Sequence, residues 1–426
     1  MDSLSKIRSV FRENGCTELY AKILAENDNA KNQIYFGPNF KALSVLPILS
    51  VTKGKGKKSL FGLLDFYWLE GQNCLLGANG AKLIFYPQYP EVRFSGFLRG
   101  TDISYSRLLA EDTRVHGRVL FLGVAGSRVI GLVVSAGARV AKEVAKVAES
   151  SDDVLVDIGV LSDSNSAKNK LFKSLKEVSK SGWLKSCRRS NDKILPCKGV
   201  NCGGYTLEAL LGISNNGKSE PDFMGWELKS VQAKSFEKMP VGRITLFTPE
   251  PDGGIYVVKG VNQFVQSYGY PDKNGKPNRM NFSSPHYFGK INKNTGLKIE
   301  IQGFSKGKIT DTNGGVCLVG KRGEIAAKWN FSGLMEHWNK KHNKVCFVPS
   351  QKKASNNCDQ FRYSDMVYLG EGSDFVRFLS ALEIGAVYYD PGIHVVNGVP
   401  KRRSQFRVDF KKLSCLYDRF GSESLI

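Results

Sequence analysis

No apolar run in the chain approaches the ~18 residues that a membrane helix needs. The strongest, Val129–Val134, is short and lies between Arg128 and Arg139. The opening segment MDSLSKIRSVFRENG lacks the apolar core of a secretory signal. The nine cysteines are irregularly spaced and do not read as a disulfide framework. Cys187, Cys197 and Cys202, with no histidine nearby, do not match the ligand spacing of a zinc knuckle. His337 and His342 are five apart, the wrong interval for sharing a helical face. Neither a phosphate-cradling GxxxxGK[ST] nor a GxSxG nucleophile elbow occurs. What these absences leave is a soluble protein of a reducing cytoplasm. Acidic side chains are also in short supply, 40 against 61 Lys and Arg.

That imbalance, a formal net charge of +21, favours a polyanionic partner through counterion release and steering. The excess is uneven. Residues 1–165 carry 20 basic and 17 acidic side chains, whereas residues 166–426 carry 41 and 23. Nucleic acid is the expected partner; no basic amphipathic helix with a strong apolar face points to a membrane surface. With 426 residues, 41% hydrophobic and 11% aromatic, the chain has material for two or three folded domains.

Residues 1–165 read as a β-rich domain. An amphipathic stretch, Leu4–Phe11, opens it. Apolar segments follow at 33–36, 43–51, 60–69, 81–86, 91–98, 118–124 and 128–134, separated by turn signals. The last two, split by Ala-Gly-Ser, predict a hairpin; an Ala-rich helix over 138–148 and a strand over 154–160 complete the domain. The basic tract KGKGKK (53–58) sits between two strands, either as a solvated loop tip or as a contact for DNA phosphates. The polar, turn-rich SDSNSAKNK (162–170) marks a boundary. A basic helix with Leu171, Leu175 and Val178 on one face leads into residues 166–426, a mixed α/β domain. There, strands are expected at 225–231, 244–247, 255–259, 297–304, 316–319, 345–348 and 406–410, and helices at 207–211, 332–341 and 373–382.

The segment Pro221-Asp222-Phe223-Met224-Gly225-Trp226-Glu227-Leu228-Lys229 carries the chemistry. Two carboxylates make a hard oxygen site suited to Mg²⁺, which polarises a phosphate and acidifies a water. On a strand, Glu227 and Lys229 point to one face, and Asp222 can curl back to meet them. Lys229 would then hold the attacking water and offset developing negative charge. A fixed Asp-x4-Glu-x-Lys match arises by chance in about one chain in ten of this length, so the surroundings decide. Upstream, Thr206 can cap a short helix that turns Glu208 toward the same cluster. Downstream, Gly242–Pro249 reads as a strand lying beside the Glu-Leu-Lys strand.

In this order the motifs GWLKS (182–186), GGYTLEALLGI (203–213), PDFMGWELKS (221–230) and ITLFTPEP (244–251), with the weaker landmark QFRV (405–408), resemble the MvaI/BcnI restriction endonucleases of the PD-(D/E)XK superfamily. The resemblance covers most of residues 166–426. It implies a PD-(D/E)XK core, with a mixed sheet flanked by helices, and Mg²⁺-dependent cleavage of double-stranded DNA at short CC- or GG-containing sites. It also implies a monomeric type II enzyme of a bacterial or archaeal cytoplasm, with a cognate DNA methyltransferase in the same system. By resemblance Asp222 and Glu227 are metal ligands, Lys229 the catalytic lysine and Glu208 an auxiliary acid. Two rivals stay open. One is a MutH-like nickase, although the four-residue gap from Asp222 to Glu227 favours the MvaI side. The other is a DNA-binding protein with an inactive nuclease fold.

DNA contacts are expected from Arg243, Arg279, His286, Lys290, Lys401, Arg402, Arg403 and Arg407, with residues 268–289 as a long loop able to enter a groove. Arginine can pair bidentately with guanine, while lysine mostly holds phosphate. Segments 29–37 and 81–100 look like those ahead of some nucleases of this family. By analogy the first domain is either a B3-like DNA-binding barrel or a packing or regulatory domain.

Overall fold

A computed structural model describes residues 2–28, 32–38, 41–54, 59–86, 89, 91–104, 106–109, 115–151, 153–161, 167–191, 193–214, 221–355 and 358–426. Most of the KGKGKK tract and of the polar boundary segment lies outside the described residues. The chain divides into two compact units, Met1–Asn169 and Lys170–Ile426.

In the first unit, Ser3 caps the Leu4–Glu13 helix by accepting from the Lys6 amide. Ile7, Val10 and Phe11, one helical stripe, are buried. They pack with Val140 and Val144 of the Arg139–Ala148 helix into one apolar core with Leu19, Phe121 and Ile130. These three lie in a six-stranded sheet in which Glu18–Leu24 pairs antiparallel with Arg118–Ala125. Gly123 lets the helix seat: a Cβ there would lie 2.4 Å from the Phe11 ring. The expected hairpin is present as Arg118–Ala125 paired with Arg128–Val134. A second, five-stranded sheet contains Gln33–Gly37 and Glu91–Ser95. The apolar run 60–69 divides between the two sheets, as Leu60–Leu63 and Asp65–Glu70. Residues 43–51, expected as one strand, instead form a short helix, Lys41–Val45, and a strand, Ser50–Lys53. Pro47 between them has no amide hydrogen for a ladder.

The second unit is mixed α/β. Its main sheet orders Leu184–Lys185, Gln360–Tyr363, Lys344–Lys353, Met366–Glu371 and Arg419–Ser424, and Glu227–Gln232 joins it parallel to Lys344–Lys353. The register sets Glu227 beside Val345 and Lys229 beside Phe347. The strand over 244–247 forms, but not beside the Glu-Leu-Lys strand as expected. Arg243–Phe247 pairs with Phe406–Asp409 in a separate sheet and meets the site through the Leu246 carbonyl, which accepts from Lys229, and through the Phe247 ring against His342. Residues 255–259, rich in β-branched side chains, are helical rather than extended, as Ile255–Val258 followed by Gly260–Tyr268. Gly254, at φ +78°, turns the chain there, and a Cβ on it would meet the Ala327 backbone at 2.9 Å. The expected loop 268–289 contains a β-hairpin, Tyr270–Pro271 with Arg279–Phe282. Asp272 organises its tip by accepting from the Asn274 and Lys276 amides.

Cys197 and Cys202 are joined by a disulfide, and the other seven cysteines are free. Among the described residues no helix is long and apolar enough to cross a membrane.

Candidate active site

The site is built around one tight turn. Met224 and Gly225 both have positive φ, +46° and +88°, the signature of a type I′ hairpin turn. Phe223 and Trp226 close it with two reciprocal backbone bonds of 2.9 Å. Trp226 is buried and Met224 exposed, so the turn is anchored on one side only. Its effect is to fold Asp222 back along the following strand, where Asp222 Oδ2 accepts from the Leu228 amide at 2.9 Å.

Glu227 begins that strand and is 5% exposed. Burying a carboxylate is costly unless it is paired. Two ammonium groups pair it: Lys229 Nζ lies 3.4 Å from Oε1, and Lys341 Nζ lies 3.4 Å from Oε2. Lys229 Nζ also donates to the Leu246 carbonyl at 3.3 Å. Glu227 Oε2 takes no hydrogen bond. Burial raises the Glu227 carboxyl above the ordinary range, and Lys229 pulls in the opposite direction. Lys341 comes from the end of the Phe331–Lys341 helix, and the sequence reading missed it. The available signal was a basic pair, Lys340-Lys341, closing an amphipathic helix; nothing local says that the helix ends beside residue 227.

Glu208 lies on the Cys202–Leu210 helix. Burial, then the neighbouring Asp222 and Glu227 charges, push its carboxyl up to about 7. The structure therefore brings Glu208, Asp222, Glu227 and Lys229 within electrostatic reach of one another. Thr206 is not the cap of this helix: Asn201 holds that position, with no side-chain cap bond. Thr206 is fully buried inside the helix, and its Oγ1 bridges the Cys187 amide and carbonyl at 3.1 Å each. The Cys197–Cys202 bridge holds the first turn of the same helix.

His342, next to Lys341, is fully buried and stacked on Trp338 at 4.0 Å. Burial first, then Lys229, holds its imidazole well below the usual range, so it faces the site neutral. Among the described residues no group of three or more His, Cys, Asp or Glu side chains is disposed to hold a metal ion. In this arrangement Glu227 is charge-compensated by lysines instead.

The residues expected to touch DNA are placed unevenly. Lys290, Lys401, Arg402 and Arg403 are exposed. Arg243 and Arg407 stand on paired strands and share Asp390, at 3.8 and 2.9 Å, and Arg407 Nε also donates to Thr245 Oγ1. Arg279 is largely covered, bonded to Asp272 and Asn281. His286 is corrected outright. It is wholly buried, bonded through Nε2 to Thr295 Oγ1 at 2.8 Å and stacked on Phe282, so it belongs to the core and not to a surface.

A mixed α/β unit that carries paired carboxylates and a lysine at one sheet edge is the class of protein that fold and site define. The model of the MvaI/BcnI restriction endonuclease family matches residues 172–417, more than half of the chain, and the chain belongs to that family. Among solved structures, it is similar to a complex of the restriction endonuclease MvaI with cognate DNA, at 19% identity and a TM-score of 0.47. It is also similar to MvaI without DNA, at 16% and 0.34; in each case the match covers 62% of this chain and 100% of the other. No curated protein matches.

Proposed function

We propose that this protein is a Mg²⁺-dependent type II restriction endonuclease that hydrolyses phosphodiester bonds of double-stranded DNA at a short specific sequence containing CC or GG. The observation that carries the reading is the buried Glu227 carboxylate, set beside Lys229 on the strand to which the 223–226 turn returns Asp222. The donor set fits a hard divalent cation, since Asp222 and Glu227 offer carboxylate oxygens, and Glu227 Oε2 is buried without a hydrogen bond. A cation held there would polarise the scissile phosphate and lower the pKa of a bound water. Lys229 Nζ, already oriented by the Leu246 carbonyl, would direct that water and offset the charge that builds on the phosphate. Glu208 would take up a proton beside the two ligands, and Lys341 would keep Glu227 ionised. Arg243, Arg279, Lys290, Lys401, Arg402, Arg403 and Arg407 are the groups offered to DNA.

The test is plasmid digestion with Mg²⁺, against EDTA and Asp222→Ala. Discrete linear fragments, lost in both controls, are expected. Only nicked circles would replace this reading with a nickase. Intact plasmid at enzyme excess, with Mg²⁺ or Mn²⁺, would leave a DNA-binding protein with an inactive core.

A further inference from the structure

The face of the main sheet that presents Glu227 and Lys229 does not end at the site. Side chains alternate along a strand, and residues in register on neighbouring strands share a face. Lys229 is in register with Phe347, so Gln351 and Lys353, four and six residues on, lie on the same side. Antiparallel pairing of Gln351 with Arg362 and of Lys353 with Gln360 carries that side to the next strand, and Gln360 with Lys185 to the one beyond. The outer end of the catalytic face is thus a row of cations.

Those cations are uncompensated. Lys185, Lys353 and Arg362 are exposed, and none has a carboxylate partner among the described residues. Lys352, on the opposite side of the same strand, is neutralised by Asp359 at 2.7 Å. Lys185 and Lys353 flank Gln360 from either side, roughly 10 Å apart for strands spaced at about 4.8 Å. Like charges at that separation repel, and a bound polyanion relieves the repulsion.

Arg362 is the best-prepared of the three. Its guanidinium lies 5.1 Å from the Trp183 ring centre and 5.3 Å from that of Phe236. Its Nε donates to Gln351 Oε1 at 2.6 Å, and Gln351 in turn donates to the Lys234 carbonyl at 2.8 Å. Placed over two rings and tied through Nε, the fork keeps both terminal nitrogens for a bidentate acceptor. Phosphate is the acceptor that such a planar fork fits.

We propose that this surface binds the phosphate backbone of duplex DNA outside the cut site. Lys353 lies about 20 Å along its strand from Phe347, the level of Lys229, which is about six base-pair steps. The contact would therefore fall on one flank, about four to six base pairs from the scissile bond. The location relative to the cut rests on the nuclease reading; the backbone contact itself does not.

The test is fluorescence anisotropy with a random-sequence duplex of about 30 base pairs, in EDTA, across a salt series. The wild type is compared with Lys185→Ala/Lys353→Ala/Arg362→Ala, with folding of each checked by thermal melting. Loss of three phosphate contacts is expected to lower the salt slope by about 2.7 and to weaken binding by on the order of 10²-fold at 0.1 M salt. Arg362→Lys, which retains the charge without the fork, is expected to leave the slope nearly unchanged while weakening binding. An unaltered affinity and slope in the folded triple variant overturns the proposal, whether or not the wild type cleaves plasmid. Wild-type binding with these losses, but no cleavage under any divalent cation, sustains it and overturns the nuclease reading alone. If the triple variant does not fold, the single variants Lys185→Ala and Lys353→Ala decide: an unchanged salt slope in both overturns the proposal.

Discussion

Lys341 shows how much of the site's electrostatics sits beyond its motif. Two ammoniums bracket one buried carboxylate, so removing either leaves Glu227 under-compensated in the metal-free protein. Lys341→Met is therefore expected to lower the melting temperature in EDTA and to enlarge the stabilisation that added Ca²⁺ brings, both read in thermal melts. Equal Ca²⁺ shifts in variant and wild type would mean that Lys341 does not compete for Glu227. His286 supports a prediction in pH. Burial pushes its imidazole down to about 3, below the ordinary 6.5. The unfolded chain thus binds a proton that the folded chain refuses between those values. The stability contribution is complete above pH 6.5 and is lost as pH falls toward 3. His286→Phe is expected to reduce the slope of unfolding free energy by up to about 1.4 kcal/mol per pH unit in that window, measured by urea unfolding at several pH values. A parallel pair of pH profiles would contradict this. From sequence alone His286 looked like a DNA-reading side chain because nothing local reports burial; Thr295 and Phe282, its partners, are apparent only in the fold.

At the scale of elements, the Glu208 helix is located by Thr206, which satisfies both backbone groups of Cys187. Thr206→Val keeps the shape but strands those groups, and is expected to cost about 2 kcal/mol in urea unfolding and to reduce plasmid cleavage. Full activity in the variant would show that the helix is positioned without this bridge. The Glu-Leu-Lys strand, the 118–134 hairpin and the 331–341 helix were legible because alternation and helical spacing are local signals. The partner of the Glu227–Gln232 strand was not legible, since the natural guess was the next strand, whereas the observed one starts at Lys344. Residues 255–259 were misread for a related reason: β-branched composition favours extension, but Gly254 and the Ala327 backbone impose a helical turn. The turn at Met224 and Gly225 carries a readable glycine, yet its type I′ geometry is visible only through the positive φ of a methionine.

At the scale of the whole molecule, the charge excess belongs to the second unit, since residues 170–426 hold 40 of the 61 basic side chains and 23 of the 40 acidic ones. Binding of duplex DNA by the full chain is accordingly expected to weaken steeply with salt, and charge-reversing substitutions at Lys53 and Lys82 of the first unit are expected to leave that slope within about one unit of the wild type. A larger drop would assign DNA contact to the first unit.

The parallel pairing of Glu227–Gln232 with Lys344–Lys353 has a consequence in time. The strand that completes the sheet edge, and the lysine that answers Glu227, are made more than a hundred residues after the motif itself. At about 5–20 residues per second, a growing chain carries Asp222, Glu227 and Lys229 for several seconds before the pieces that assemble them exist. Long-range parallel contacts of this kind also close slowly. An unfinished chain therefore holds every residue of the motif and its local turn but neither the sheet partner nor Lys341, which confines any cutting of DNA to finished molecules.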